Sequence, residues 1–269
     1  MTYDDLGLLQ PEGGDEIGEL STSKSSKRKV PTGQAFRTLK LIDKDSGEIF
    51  EFQTERQLEE FKYQRYLQRY LRTVASIDDS VGKLLAFLDE NDLAKNTIVI
   101  YTSDQGFFLG EHGWFDKRWI YEESLTTPCI VRWPGVTQPG TTSDAIVSIL
   151  DFPETFLEAA GQTVPSDMHG RSLGPILAGQ KPEDWRKSFY YHYYEFPGAH
   201  SVRKHYGVVT DRYKLFHFYE PDMNYWTLID RKQDAHEMKN VYDQPKYAEA
   251  QKELHRELDE LRKELKVPL

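Results

Sequence analysis

The chain has 269 residues, a formal net charge of −10, 38% hydrophobic residues and 13% aromatic residues. That length allows one large or two modest domains, and so high an aromatic content excludes a disordered chain. The acidic balance argues against nucleic acid or an anionic membrane as main partner, and no apolar run approaches the roughly 18 residues of a membrane span. A single cysteine, Cys129, excludes an intrachain disulfide framework and a cysteine zinc cluster.

The first 32 residues place acids (Asp4, Asp5, Glu12, Asp15, Glu16, Glu19) before a serine-rich basic run (Lys24, Lys27, Arg28, Lys29). They offer too little apolar surface to offset ordering entropy, so they read as a loop or tail. The opening MTYDD has neither a basic nor an apolar region, so no signal peptide is expected. Residues 36–52 alternate around Asp45, Ser46 and Gly47, which suits a short hairpin. From 55 to 90 a helix is expected, with Val74, Ile77, Val81, Leu84, Leu85 and Leu88 forming one apolar stripe. Residues 97–102 (TIVIYT) form a continuous β-branched apolar run, the pattern of a buried parallel strand. Two further runs, 129–133 (CIVRW) and 145–149 (AIVSI), read the same way, and a helix over 151–160 stops at Gly161. This is an α/β pattern, whose open sheets bind ligands at the carboxyl ends of strands.

After about Pro182 the composition changes. Residues 189–226 concentrate aromatics and histidines in short alternating runs, which predicts an antiparallel sheet. A last helix over about 247–263 sets Leu254, Leu258, Leu261 and Leu265 on one face to cover that sheet. The expected division is a tail, linker and hairpin over 1–53, an α/β part over 54–181, and a small α+β domain over 182–269.

The stretch richest in chemistry is 101–118 (YTSDQGFFLGEHGWFDKR), which begins at the end of the first apolar strand. Its glycines let backbone approach a ligand closely. Asp104 and Gln105 are adjacent oxygen donors, and oxygen-only ligation suits Ca²⁺ or Mg²⁺ rather than zinc. Lys117 is a cation able to hold an anionic group, and Arg118 offers a planar fork for hydroxyls or carboxylates. The same residues also suit a glycine-rich surface loop carrying solvated charges.

This run resembles the second metal-binding motif of the type I sulfatases, in the alkaline phosphatase superfamily. It is most similar to bacterial exo-acting enzymes that cleave N-acetylglucosamine-6-sulfate. The resemblance extends through 121–125 (YEESL), 128–135 (PCIVRWPG), 168–173 (MHGRSL), the helix 74–88, His205 to Val208, and Asp230, His236, Glu237, Met238 and Asn240. It implies the C-terminal part of an alkaline-phosphatase-like sandwich with a small α+β domain, and a sulfated carbohydrate as substrate. It further implies Asp104 and Gln105 as calcium ligands and Lys117 as the sulfate contact. Asp116 and Arg118 would meet sugar hydroxyls, and His205 would close the sugar pocket. For Asp116 and Arg118 a mutual ion pair is the alternative, and for His205 a satisfied core position. His112 either lines the site or makes a structural hydrogen bond. The resemblance also implies a periplasmic or secreted location.

The family's nucleophile is a formylglycine made from cysteine in a Cys-x-Pro/Ala/Ser-x-Arg setting. Cys129 is followed at those places by Val131 and Trp133, so a buried strand thiol is expected instead. The family's first aspartate pair has no counterpart: no strand precedes Asp4 and Asp5, and Asp78 and Asp79 lie within a helix. The expectation is therefore a sulfatase portion that needs an N-terminal half or a partner chain. A phosphoryl-transfer relative and a non-catalytic glycan-binding chain are the other readings.

Overall fold

The computed structural model describes residues 6–9, 39–198 and 200–267. The tail expected before residue 33 lies almost wholly outside them. Two compact units are present: the described residues up to Ala94 with His200 and Ser201, and those of Lys95–Gly198 and Val202–Leu269.

In the first unit, strands β1 (Leu8–Leu9), β2 (Leu39–Asp43) and β3 (Ile49–Phe52) form an antiparallel sheet in that order. Asp43 shapes the β2–β3 turn by accepting from the amides of Asp45 and Ser46, at 2.8 and 2.7 Å. Leu39, Leu41 and Phe52 pack with Leu6, Leu8 and Leu58. Helix α1 (Glu55–Glu90) is capped at its start: Thr54 Oγ1 accepts from Gln57 N, and Gln57 Oε1 accepts from the amide of Gln53, one residue before the cap. Its apolar stripe is the length expected, yet Val74, Ile77 and Leu84 are exposed.

In the second unit, β4 (Val99–Thr102) pairs antiparallel with β5 (Cys129–Arg132). Parallel pairing and full burial were the expectation. Among the described residues β4 has no other strand partner, so its apolar run is only half-buried. Cys129 is exposed rather than buried, because nothing described covers that end of β5. Residues 145–149 form no strand: the Ile146 carbonyl accepts from Trp185 Nε1 and the Ser148 amide donates to Asp151, so neither group joins a ladder. Helices α2 (Glu122–Leu125), α3 (Asp151–Ala159) and α4 (Gly174–Leu177) follow. Fully buried Asp151 takes both nitrogens of the Arg186 fork at 2.5 Å and the Arg171 amide at 2.8 Å, which pins the 168–173 stretch to α3.

The expected antiparallel sheet is β6 (Ser188–Tyr193), β7 (His205–Thr210), β8 (Tyr213–Glu220) and β9 (Met223–Asp230), in chain order. Helix α5 (Ala248–Glu264) covers one face, burying Leu254 and Leu258 on Val208, Leu215 and Leu228. The other face buries Val209, Phe216, Phe218 and Ile229 against Ile120 of the glycine-rich segment.

Leu258 is 1% exposed at the centre of the α5 contact. Leu258→Ala is expected to cost about 2–5 kcal/mol, read as a lower urea midpoint at unchanged slope. The sheet also holds two depressed histidines, His192 and His205, each lowered by burial to about 4. Both are neutral in the fold, so their stabilising contribution is complete above the unfolded value near 6.5 and is lost as pH falls toward 4. The urea midpoint is expected to drop between pH 7 and 5, and to drop less in His192→Gln; an identical drop in both proteins would count against this origin.

Candidate active site

The glycine-rich segment runs from the end of β4 to α2 and is tied down at several points. Gly106 donates to the Ser124 carbonyl at 2.8 Å, Phe108 to Asp116 at 2.8 Å and Gly110 to Trp114 at 2.9 Å. Gly106 is required by space: a Cβ there would stand 2.1 Å from the Glu123 carbonyl oxygen. Phe108 and Ile120 are fully buried anchors. Between them Trp114 stacks on Trp119, with centroids 4.6 Å apart, and Trp119 stacks on His205 at 5.5 Å.

Four charges fix the far end of this segment to the sheet. Lys214 on β8 is 0% exposed, and its ammonium lies 2.7 Å from Glu237 Oε1 and 2.9 Å from Glu122 Oε2. Arg231 reaches the other Glu122 oxygen at 2.8 Å, and the Glu122 amide donates to Glu237 at 2.8 Å. Burial acts to raise the Glu122 carboxyl, but Lys214 and Arg231 outweigh it and hold that carboxyl below its ordinary value.

Asp104 follows β4 and is exposed; its Oδ1 accepts from the Gln105 amide at 3.1 Å. Asp104 and Gln105 are hard oxygen donors of the kind calcium takes, but they are two where calcium takes about six to eight. Among the described residues no group of three acids, histidines or cysteines gathers around an ion. The donor types fit calcium, and the donor count is partial.

Lys117 is half-buried, and among the described residues no acid pairs with its ammonium. Its carbonyl accepts from the buried Ser124 hydroxyl, which fixes the backbone where the side chain departs. Asp116 and Arg118 do pair with each other, at 2.5 Å. Arg118 Nε also lies 3.9 Å from Glu195, and the Arg118 carbonyl accepts from Tyr191 OH at 3.2 Å. Tyr193 OH donates to Glu195 at 3.1 Å, and burial followed by that hydrogen bond pushes the phenol up to about 12.

His205 is enclosed by Trp119, Tyr191, Tyr193 and Phe218. Its Nδ1 lies 2.8 Å from the Arg203 carbonyl, which can only accept, so the proton sits on Nδ1. Nε2 therefore keeps a buried lone pair with no hydrogen-bond partner among the described residues. His205 is thus a core histidine on one side and unsatisfied on the other. His112 turns inward: it adopts φ 54°, stacks on Trp114 and Tyr121, and points Nε2 at Glu123, 3.4 Å away.

The structure so brings Asp116, Lys117, Arg118 and His205 to one side of the sheet, in the second unit. Reading the sequence missed Tyr191, Tyr193, Glu195 and Trp119. Period two along β6 carries a signal for two of them, since Tyr191 and Tyr193 share the face of Phe189.

The chain matches the family model "Sulfatase" over residues 22–162 and the model "N-sulphoglucosamine sulphohydrolase, C-terminal" over residues 110–264. It is 50% identical over 208 residues to an N-acetylglucosamine-6-O-sulfatase of Bacteroides thetaiotaomicron, a match that spans 77% of this chain and 37% of that protein. A solved sulfated-sugar complex, with D-glucosamine-2-N,6-O-disulfate as substrate, superposes with TM-score 0.74 at 50% identity, covering 77% of this chain and 42% of that one. A phosphonate monoester hydrolase from Silicibacter pomeroyi superposes with TM-score 0.67 at 28% identity, covering 75% of this chain and 42% of that one. The chain thus spans about two fifths of the relatives it matches. Its fold is that of the alkaline-phosphatase-like sulfatases, and the chain belongs to the sulfatase family.

Proposed function

We propose that this chain supplies the sulfate- and sugar-gripping side of a calcium-dependent sulfatase site, acting on N-acetylglucosamine-6-sulfate at the end of a glycan. The observation that carries the reading is Lys117: an ammonium with no acid paired to it among the described residues, its backbone fixed by Ser124, between two residues that pair with each other. Two of the relatives named above, the Bacteroides thetaiotaomicron sulfatase and the sulfated-sugar complex, are named for 6-sulfated glucosamine, which supports the choice of sugar.

Asp104 and Gln105 would hold one side of the calcium ion, which when bound neutralises sulfate oxygens. Lys117 places positive charge where negative charge grows in the transition state. Asp116 and Arg118 pair with each other, and beside that pair Arg118 carries further N–H groups suited to sugar hydroxyls. His205 Nε2, a buried acceptor without a donor, is suited to one more hydroxyl. No residue of this sequence fits the formylglycine setting, and exposed Cys129 does not, so no covalent step is assigned to this chain. The phosphonate hydrolase likeness keeps phosphoryl transfer as a second reading.

The experiment has two arms. This chain by itself is expected to turn over neither an aryl sulfate nor N-acetylglucosamine-6-sulfate, because metal and charge do not replace a nucleophile. In a protein completed with the rest of the sulfatase domain, Lys117→Ala should depress kcat/KM on both esters alike. Asp116→Ala and Arg118→Ala should hurt the sulfated sugar more, by about ten- to a hundred-fold, as lost contacts to charged groups of about 1.5–3 kcal/mol imply. Equal losses on both esters with earlier melting would make the Asp116–Arg118 pair purely structural. Phosphonate turnover exceeding sulfate turnover would favour the second reading.

A further inference from the structure

In the first unit a cavity of about 520 Å³ opens between helix α1 and the β2–β3 hairpin. Small-molecule sites measure roughly 300–1,000 Å³, so the cavity has room for more than one small ion. Its helical wall carries Arg65, Arg69 and Arg72. Spacings of four and three residues set all three on one face of α1. Arg65 Nε donates to the Leu6 carbonyl at 2.7 Å, and Arg69 Nη1 donates to the same carbonyl at 3.3 Å. Two guanidiniums are thus held side by side on one oxygen. The backbone also closes behind Arg69, since a Cβ on Gly7 would stand 2.4 Å from its Nη1. Adjacent like charges repel unless an anion offsets them. Asp43 offsets Arg65 alone: it pairs with that guanidinium, and its Oδ1 also accepts from the amides of Asp45 and Ser46. Those bonds hold the Asp43 carboxyl well below the usual carboxylate range. Arg69 and Arg72 are exposed and have no acid paired with them among the described residues.

We propose that this cavity, built wholly within the first unit, is a second carbohydrate-binding site that takes a sugar bearing an oxyanion ester, sulfate or phosphate. The ester oxygens would lie on the forks of Arg69 and Arg72, whose geometry suits tetrahedral oxyanions. The rest of the wall selects a sugar over a bare ion. Asp45 and Glu48 stand at the hairpin side of the cavity, exposed and without a paired cation among the described residues. A free anion would be repelled by these two carboxylates, whereas a sugar gives them hydroxyls to accept from. Gln68 lies between Arg65 and Arg69 on α1 and adds an exposed amide that both donates and accepts. The wall also selects against a polyanion such as nucleic acid, since its three guanidiniums face three carboxylates, Asp43, Asp45 and Glu48. Such a site would hold a glycan apart from any cleavage. The inference is independent of which ester the chain acts on and of whether Lys117 meets sulfate.

The test is calorimetric titration of this chain carrying Lys117→Ala, so that the segment 104–118 is disabled beforehand. The probes are N-acetylglucosamine-6-sulfate, N-acetylglucosamine-6-phosphate, unsubstituted N-acetylglucosamine and inorganic sulfate. At least one ester is expected to bind one-to-one, at least tenfold tighter than the unsubstituted sugar and than inorganic sulfate; the tighter of the two identifies the ester. Adding Arg72→Gln should weaken that binding at least tenfold at an unchanged melting midpoint, since Arg72 is exposed and has no described partner to lose. Arg69→Gln is the second variant, with the same expected loss. The proposal is overturned if neither ester binds at millimolar concentration, or if binding is indifferent to both arginine variants. It is equally overturned if the unsubstituted sugar binds as tightly as the esters, or if inorganic sulfate does, which would mean an adventitious ion only.

Discussion

The ammonium of Lys214 lies fully buried between the carboxylates of Glu237 and Glu122, and Arg231 closes the group. Two cations and two anions balance, so the cluster is neutral as a whole. Removing one member would strand a buried charge at a cost of about 3–5 kcal/mol. Its members come from three places: β8, the turn after β9, and the start of α2. It is the polar lock that holds the glycine-rich segment against the sheet, while Ile120 and Phe216 supply the apolar contact beside it. Glu237 accepts a left-handed backbone, φ 54°, to reach this position.

Everything at the candidate site hangs from that attachment. With Glu122 fixed, Ser124 takes up the Gly106 amide and the Lys117 carbonyl, and both ends of the segment are set. Asp104 is then held at the mouth of β4, and Lys117 leaves from a backbone that cannot swing. The aromatic stack from Trp114 through Trp119 to His205 fills the space between segment and sheet. Preorganisation of this kind is what lets charges act on a transition state without rearranging first.

Much of this was legible in the sequence, for local reasons. The turn at Asp45 to Gly47 and the leucines of α5 are signals carried within a few residues of one another. The family resemblance of 121–125 and of Glu237 was visible, but its cause was not, because Glu122 and Glu237 are 115 positions apart. One clue was present: Lys214 shares a face with Phe216 and Phe218, so period two puts a lysine in a core position, where it needs acids. The expectations for 97–102, 145–149 and Cys129 failed for a common reason. A continuous apolar run states that a strand wants cover on both faces, but not who provides it, and the described residues leave β4 and β5 half-covered.

The central claim is that the buried ionic cluster positions the site segment. Amide hydrogen exchange in Lys214→Met tests it most directly, since that side chain keeps the volume and removes the charge. The amides of Gly106, Phe108 and Gly110 should lose protection, while those of β7 and β8 that pair with each other stay slow. Equal protection in both proteins at Gly106, Phe108 and Gly110 would contradict the claim, as would a loss spread evenly over the whole sheet.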